Sequence, residues 1–150
     1  MNFNEDIEMI IDYAHCFNWC PDLIEVQKIY NFFPDSYSVL TPFMYSYLEE
    51  CIRSTTSEYG IEVFDEKNNP KRRKVGIKLI NLAIKENSEN ISYISILNGL
   101  KKYFTDSTIL DVGDNRNSVD HGYMHPINWT KDSFENLVHD IAKISPFVRF

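Results

Sequence analysis

The chain reads as an all-α protein, a helical bundle of five or six helices, on three observations. Apolar residues recur at three- and four-residue intervals along most of the sequence. Capping and stop residues punctuate these stretches. Five glycines and six prolines among 150 residues argue against a loop-rich β architecture. No repeat, low-complexity tract or long linker divides the chain, so residues 1–150 are expected to form one domain.

Each element has its own signature. Ile7, Ile10, Ile11, Ala14 and Phe17 make a first apolar stripe, with Asn4 as its cap and Pro21 closing the region. Asp22 caps a second helix that runs through Phe33 and stops at Pro34. Thr41-Pro42 pairs a cap with a proline suited to the first helical position, and that helix runs to Gly60. Its face carries Met44, Tyr47, Leu48, Cys51 and Ile52. Asp65 to Lys74 is a polar loop, and Asn69-Pro70 resembles a helix start. Val75, Leu79, Ile80 and Ala83 give the next face. Ser88 caps a helix that buries Ile94, Leu97, Leu100 and Phe104. A loop through Asp111 and Gly113 leads to a helix capped by Asp114 that carries Arg116 to Tyr123 and stops before Pro126. A last helix begins near Thr130 and buries Phe134, Leu137, Val138, Ile141 and Ile144.

Composition narrows the function. Hydrophobic residues at 43% and charged residues at 25% are ordinary for a soluble globular chain. No apolar run is long enough to span a bilayer, so no membrane partner is expected. The acidic start, Met1-Asn2-Phe3-Asn4-Glu5-Asp6, lacks the basic residues of a signal peptide, and the expected location is the cytoplasm. A net charge of −7 argues against sequence-blind coating of nucleic acid. It leaves room for a small site that grips one or two phosphates. Cys16, Cys20 and Cys51 lack a zinc spacing and are expected to pack as small apolar residues without disulfides. Trp19 and Trp129 are expected to pack in or against the bundle.

Arg116-Asn117-Ser118-Val119-Asp120-His121-Gly122-Tyr123 carries the chemistry. An imidazole moves protons near neutral pH, and a guanidinium neutralises charge that develops on a phosphate. Residues five apart on a regular helix point roughly 140° apart, so Arg116 and His121 do not share a tight face. Two arrangements resolve this: Arg116 folds back from the start of an irregular helix, or two chains complete one cleft across a two-fold axis. Plainer readings stand beside the functional one. Arg116 can pair with Asp111 or Asp114, His121 can be a structural histidine, and Tyr123 can pack or form an interface. His121 and His125 have the spacing of a metal pair. The glutamate of that metal motif is missing and Pro126 disfavours helix at His125, so no metal site is expected. Lys71-Arg72-Arg73-Lys74 is the one dense basic run, read either as a lure for RNA backbone or as a solvated helix start.

The stretch resembles the signature of the HEPN superfamily (higher eukaryotes and prokaryotes nucleotide-binding domains), in which Arg, often followed by a polar residue, is separated from His by four to six residues. Arg116-Asn117 and His121-Gly122 match it, and Tyr123 resembles the Arg-x4-His-x-Tyr form of HEPN toxins paired with minimal nucleotidyltransferases. The resemblance covers about the last third of the chain and implies a bundle of about four or five helices. It also implies an acidic residue on an upstream helix near the site, for which Glu49, Glu50 and Arg53 are possible counterparts, with Glu50 put forward as a supporting residue. Asp120 departs from the apolar residue many members place before the histidine. A carboxylate there favours a protonated imidazole or competes for the arginine.

What the resemblance implies is a metal-independent endoribonuclease of toxin or phage-defence type, acting without a cofactor as a homodimer on RNA. The 2′-OH of RNA attacks the adjacent phosphate and expels the 5′-oxygen. His121 moves the protons, Arg116 stabilises the pentacoordinate phosphorus, Asn117 bonds phosphate or fixes His121, and Tyr123 stacks on a base or bonds phosphate. Tyr123 is also a candidate for AMP addition by a nucleotidyltransferase antitoxin. The competing expectations are a non-catalytic HEPN module that binds RNA or nucleotide or scaffolds a nucleotidyltransferase, and a plain helical interaction protein with an aromatic partner surface.

Overall fold

The computed structural model describes residues 2–60, 62 and 64–150. Among them the chain is an all-α bundle of seven α-helices with short 3-10 turns. They are α1 (Phe3–Tyr13), α2 (Cys20–Phe32), α3 (Tyr37–Ser54), α4 (Gly76–Glu86), α5 (Ile91–Leu100), α6 (Arg116–Asp120) and α7 (Lys131–Ile144). Five or six helices were expected, and the five-residue α6 takes the count to seven. None of the described helices is long and apolar enough to cross a membrane.

The element boundaries follow side-chain chemistry closely, and several differ from the sequence expectation. Asn2 caps α1 in place of Asn4, by accepting from the Asn4 N–H. That helix stops at Tyr13, so Phe17 lies beyond it and is exposed. Pro21 opens α2 instead of closing the preceding region, because a proline in a first turn removes an N–H that has no helical partner anyway. Asp22 lies inside that first turn and does not cap it. Thr41 and Pro42 sit inside α3, which starts at Tyr37 after a 3-10 turn over Pro34–Ser36. Thr41 Oγ1 instead donates to the Tyr37 carbonyl. That helix ends at Ser54, short of Gly60. Asn69-Pro70 starts nothing, since α4 begins at Gly76 with the exposed Val75 as its uncapped N-cap. Asn90 caps α5 where Ser88 was expected. Cys16 is exposed, against the packing expected of it, whereas Cys51 is buried.

α3 and α7 form the centre. α7 packs on α1, α3 and α5, while α3 also packs on α4 and α6. Phe134, Leu137, Val138, Ile141 and Ile144 of α7 are all fully buried, as their spacing predicts. Each such side chain contributes roughly 1.5–3 kcal/mol relative to exposure. Thr130 caps this helix, as expected, by accepting from the Ser133 N–H. Trp129 is buried, and Trp19 packs against Phe43 and Tyr47.

The segment before α6 is pinned to α3 and to the start of α7. Tyr45 Oη donates to the Gly113 carbonyl at 3.0 Å, and the Thr130 N–H donates to the Val112 carbonyl at 2.8 Å. Gly113 has φ +89°, and a Cβ there meets Trp129 Cβ at 2.9 Å. Only glycine satisfies both constraints. Gly113→Ala is expected to lower stability by about 2–4 kcal/mol from combined backbone strain and overpacking. Gly122→Ala, with φ +65° but no described atom within 4 Å of the added Cβ, is expected to cost about 1–2 kcal/mol. Urea denaturation of both variants checks this order.

Candidate functional site

α6 is a single short turn of helix, and its ends decide where the motif residues point. Asn115, not Asp114, caps it: Oδ1 accepts from the Ser118 N–H, while Nδ2 donates to the Thr105 carbonyl and hydroxyl. Asp114 instead accepts from the Val112 N–H. At the other end the Gly122 N–H donates to the Val119 carbonyl and the Tyr123 N–H to the Ser118 carbonyl at 2.9 Å. This paired pattern around a left-handed residue is the Schellman stop, and Gly122 supplies it with φ +65°. The helix therefore ends at Asp120, earlier than Tyr123. Arg116 becomes its first residue, His121 its C-cap, and Tyr123 lies outside it.

Arg116 folds back against α3. Its Nε lies 3.0 Å from Glu49 Oε1 and 2.9 Å from Asp120 Oδ2. Neither oxygen is in line with the Nε–H, so these are charge contacts without a directed hydrogen bond. The Nη groups of Arg116 make no hydrogen bond to the described residues. The pairing with Asp111 or Asp114 allowed by the sequence does not form, and Asp120 competes for the arginine, one of the two roles foreseen for it.

Glu49 is the acidic residue at this site, and Glu50 is not. Its buried carboxylate contacts Arg116, accepts from the Gly76 N–H at 3.2 Å and lies 3.8 Å from Arg53. Among the described residues Glu50 forms an ion pair only with Arg53, at 3.7 Å. The two neighbours diverge because successive helical side chains point about 100° apart. Glu49 lies one helical turn from both Tyr45 and Arg53, on the flank of α3 that meets α4 and α6. The glutamate with an arginine four residues on is a signal readable in the sequence, but its burial and its partner on α6 are not.

The Asp120 side chain is 22% exposed. Burial pushes its carboxyl above the usual 3.8; Arg116 and His121 pull it down, Glu49 pushes it further up, and the net direction is up. Burial also drives the Cys51 thiol far up, which removes it as a nucleophile.

Arg116 and Asn117 line a cleft of about 550 Å³ with Arg72, Arg73, Lys74 and Lys78. Asn117 Nδ2 donates to the Thr105 carbonyl at 3.1 Å, and the Asn117 backbone carbonyl accepts from the His121 N–H at 3.1 Å. His121 is exposed and does not line this cleft, and Tyr123 is 56% exposed. One chain thus brings together Arg116, Asp120 and Glu49, leaves His121 and Tyr123 on the outer side of the turn, and keeps Glu50 apart. His125 caps the following 3-10 turn by accepting from the Ile127 N–H. Glu49 was one of the three counterparts put forward from the sequence, with Glu50 preferred, whereas nothing in the sequence singled out Lys78. Comparisons with protein-family models, with curated proteins and with solved structures find no match.

Since the folded-state value of Asp120 lies above its unfolded value, its contribution to stability is full below pH 3.8 and is lost as pH rises through the folded value. Asp120→Asn is expected to gain melting temperature relative to the native chain as pH rises from 3.8 through the folded-state value of Asp120. Parallel melting curves across that range contradict the shift.

Proposed function

We propose that this chain is a metal-independent endoribonuclease of the HEPN type, with Arg116 and His121 as its catalytic residues. The observation that carries the reading is the Arg116 guanidinium. It is ion-paired through Nε and lines a cation-rich cleft, with no hydrogen bond from its Nη groups to a described residue. Such a group meets a phosphate in a fixed orientation at little entropic cost.

In the proposed reaction a base takes the proton of the RNA 2′-OH, and the 2′-oxygen forms a bond to phosphorus. The bond from phosphorus to the 5′-oxygen breaks, and an acid protonates that oxygen. The products are a 2′,3′-cyclic phosphate and a 5′-hydroxyl end. Arg116 holds the phosphoryl oxygens as charge builds. His121 transfers the protons. Asn117 gives one Nδ2 hydrogen to the Thr105 carbonyl and keeps the other to donate to a phosphoryl oxygen in the cleft it lines.

A homodimer fits this proposal, because His121 lies outside the cleft of its own chain and a two-fold partner can supply a second His121 as acid to the first as base. Exposed Ile109, Leu110 and Ile127 flank the motif in the chain and suit such an interface. The exposed Tyr123 is available to a base or to AMP transfer by a nucleotidyltransferase antitoxin, and the toxin or phage-defence role belongs to the same proposal.

The separation of His121 from the cleft also favours a second reading, a non-catalytic HEPN module that binds RNA or nucleotide or scaffolds a nucleotidyltransferase. Incubation of the purified chain with RNA in EDTA separates the two. The nuclease leaves cyclic phosphate ends, and His121→Ala and Arg116→Ala each lower the rate by about 100-fold or more. RNA cleavage that persists in both variants overturns the site assignment. Binding without cleavage, lost only in Arg116→Ala, supports the second reading.

A further inference from the structure

The cleft beside Arg116 has a composition at odds with the rest of the chain. The whole sequence carries a net charge of −7, yet Arg72, Arg73, Lys74, Lys78 and Arg116 line this one cleft and, among the described residues, no carboxylate does. Its volume of about 550 Å³ falls within the 300–1,000 Å³ typical of ligand sites. Arg72 and Lys78 are exposed and make no ion pair to a described residue.

The basic segment is also held in place. The Lys74 N–H donates to Glu58 Oε2 at 2.8 Å, its Nζ lies 2.7 Å from Glu58 Oε1, and its carbonyl accepts from Arg53 Nη2 at 3.0 Å. Both backbone polar groups of Lys74 are therefore fixed by side chains, and the segment's end is anchored to the turn after α3. The N-terminus of α4 is not a free anion site here, because the Glu49 carboxylate already accepts from the Gly76 N–H. Attraction in the cleft comes from side-chain cations.

We propose that this cleft takes the phosphodiester backbone of single-stranded RNA beside the scissile phosphate, with Arg72 and Lys78 contacting two phosphates beyond the one held by Arg116. The proposal rests on the reading of the chain as an RNA-acting HEPN protein. It gives the Lys71–Lys74 run a role: Arg72 belongs to the strand path, whereas Lys74 spends its charge on Glu58 and serves to fix the segment. Lys78 joins from the first turn of α4, four residues after Lys74. The contacts are to backbone, so they confer affinity without sequence preference.

The test is fluorescence anisotropy with a labelled single-stranded 2′-O-methyl RNA, which lacks the attacking hydroxyl, across a salt series. The double variant Arg72→Gln/Lys78→Gln is compared with the native chain and with Lys28→Gln/Lys85→Gln, which removes two lysines outside the cleft. Loss of two phosphate contacts lowers the slope of log affinity against log salt by about 1.4. The expected result is that drop with at least a tenfold loss of affinity at low salt, and little change in the control. Equal affinity and slope for the native chain and the cleft variant overturn the proposal, as does an absence of RNA binding by the native chain. Competition by ATP at the oligomer's own affinity also overturns it, in favour of a nucleotide pocket. Native cleavage alongside unaltered binding by the cleft variant sinks the strand path alone. Binding through Arg72 and Lys78 without cleavage sinks the nuclease reading alone.

Discussion

The Glu49 carboxylate is the contact on which the rest of the site depends. It lies in the bundle at 7% exposure and touches groups from three helices: Arg116 of α6, the Gly76 N–H that opens α4, and Arg53 one turn along α3. A carboxylate this deep is costly to desolvate and persists because cations and an N–H surround it. Removing it leaves two arginines in a partly closed space and an unsatisfied helix start. The position of Arg116 is thus set by the core of the protein and not by the short helix that carries it.

Around that anchor the motif segment is fixed at several points. Tyr45 and Thr130 hold the approach through Gly113 and Val112, Asn115 caps the turn against Thr105, and Gly122 ends it. These constraints divide the motif into an inner half and an outer half. Arg116 and Asn117 face the basic cleft, while His121 and Tyr123 stay exposed. Asp120 sits between the halves, close to Arg116 and within the electrostatic reach of His121. Burial raises the Asp120 carboxyl, while Arg116 and His121 pull it back down.

Much of the fold was legible because helix periodicity is local information. The faces of α3 and α7, the Thr130 cap and the burial of Trp129 follow from spacing alone. Boundaries were less legible where two capping residues compete. Asn2 against Asn4 and Asn90 against Ser88 differ by two residues of register, and Asn115 against Asp114 by one. Pro42 misled because a proline near a helix start was read as the start itself, although the turn over Pro34–Ser36 feeds α3 earlier. The motif was readable as a string, and the about 140° divergence of Arg116 and His121 was foreseen from helix geometry. The choice of Glu49 over Glu50 was not, since it depends on which side of α3 meets α6. Neither was the joining of Lys78 to the Arg72 segment at one cleft.

The central claim is that Glu49 and Arg116 are energetically coupled and that this pair positions the motif. A double-mutant cycle with Glu49→Gln, Arg116→Gln and the double variant, read by urea denaturation, measures it directly. A coupling energy of about 1–3 kcal/mol is predicted for a contacting pair with shared burial. Additivity within about 0.5 kcal/mol contradicts it, and Arg116 is then held by Asp120 alone or not at all.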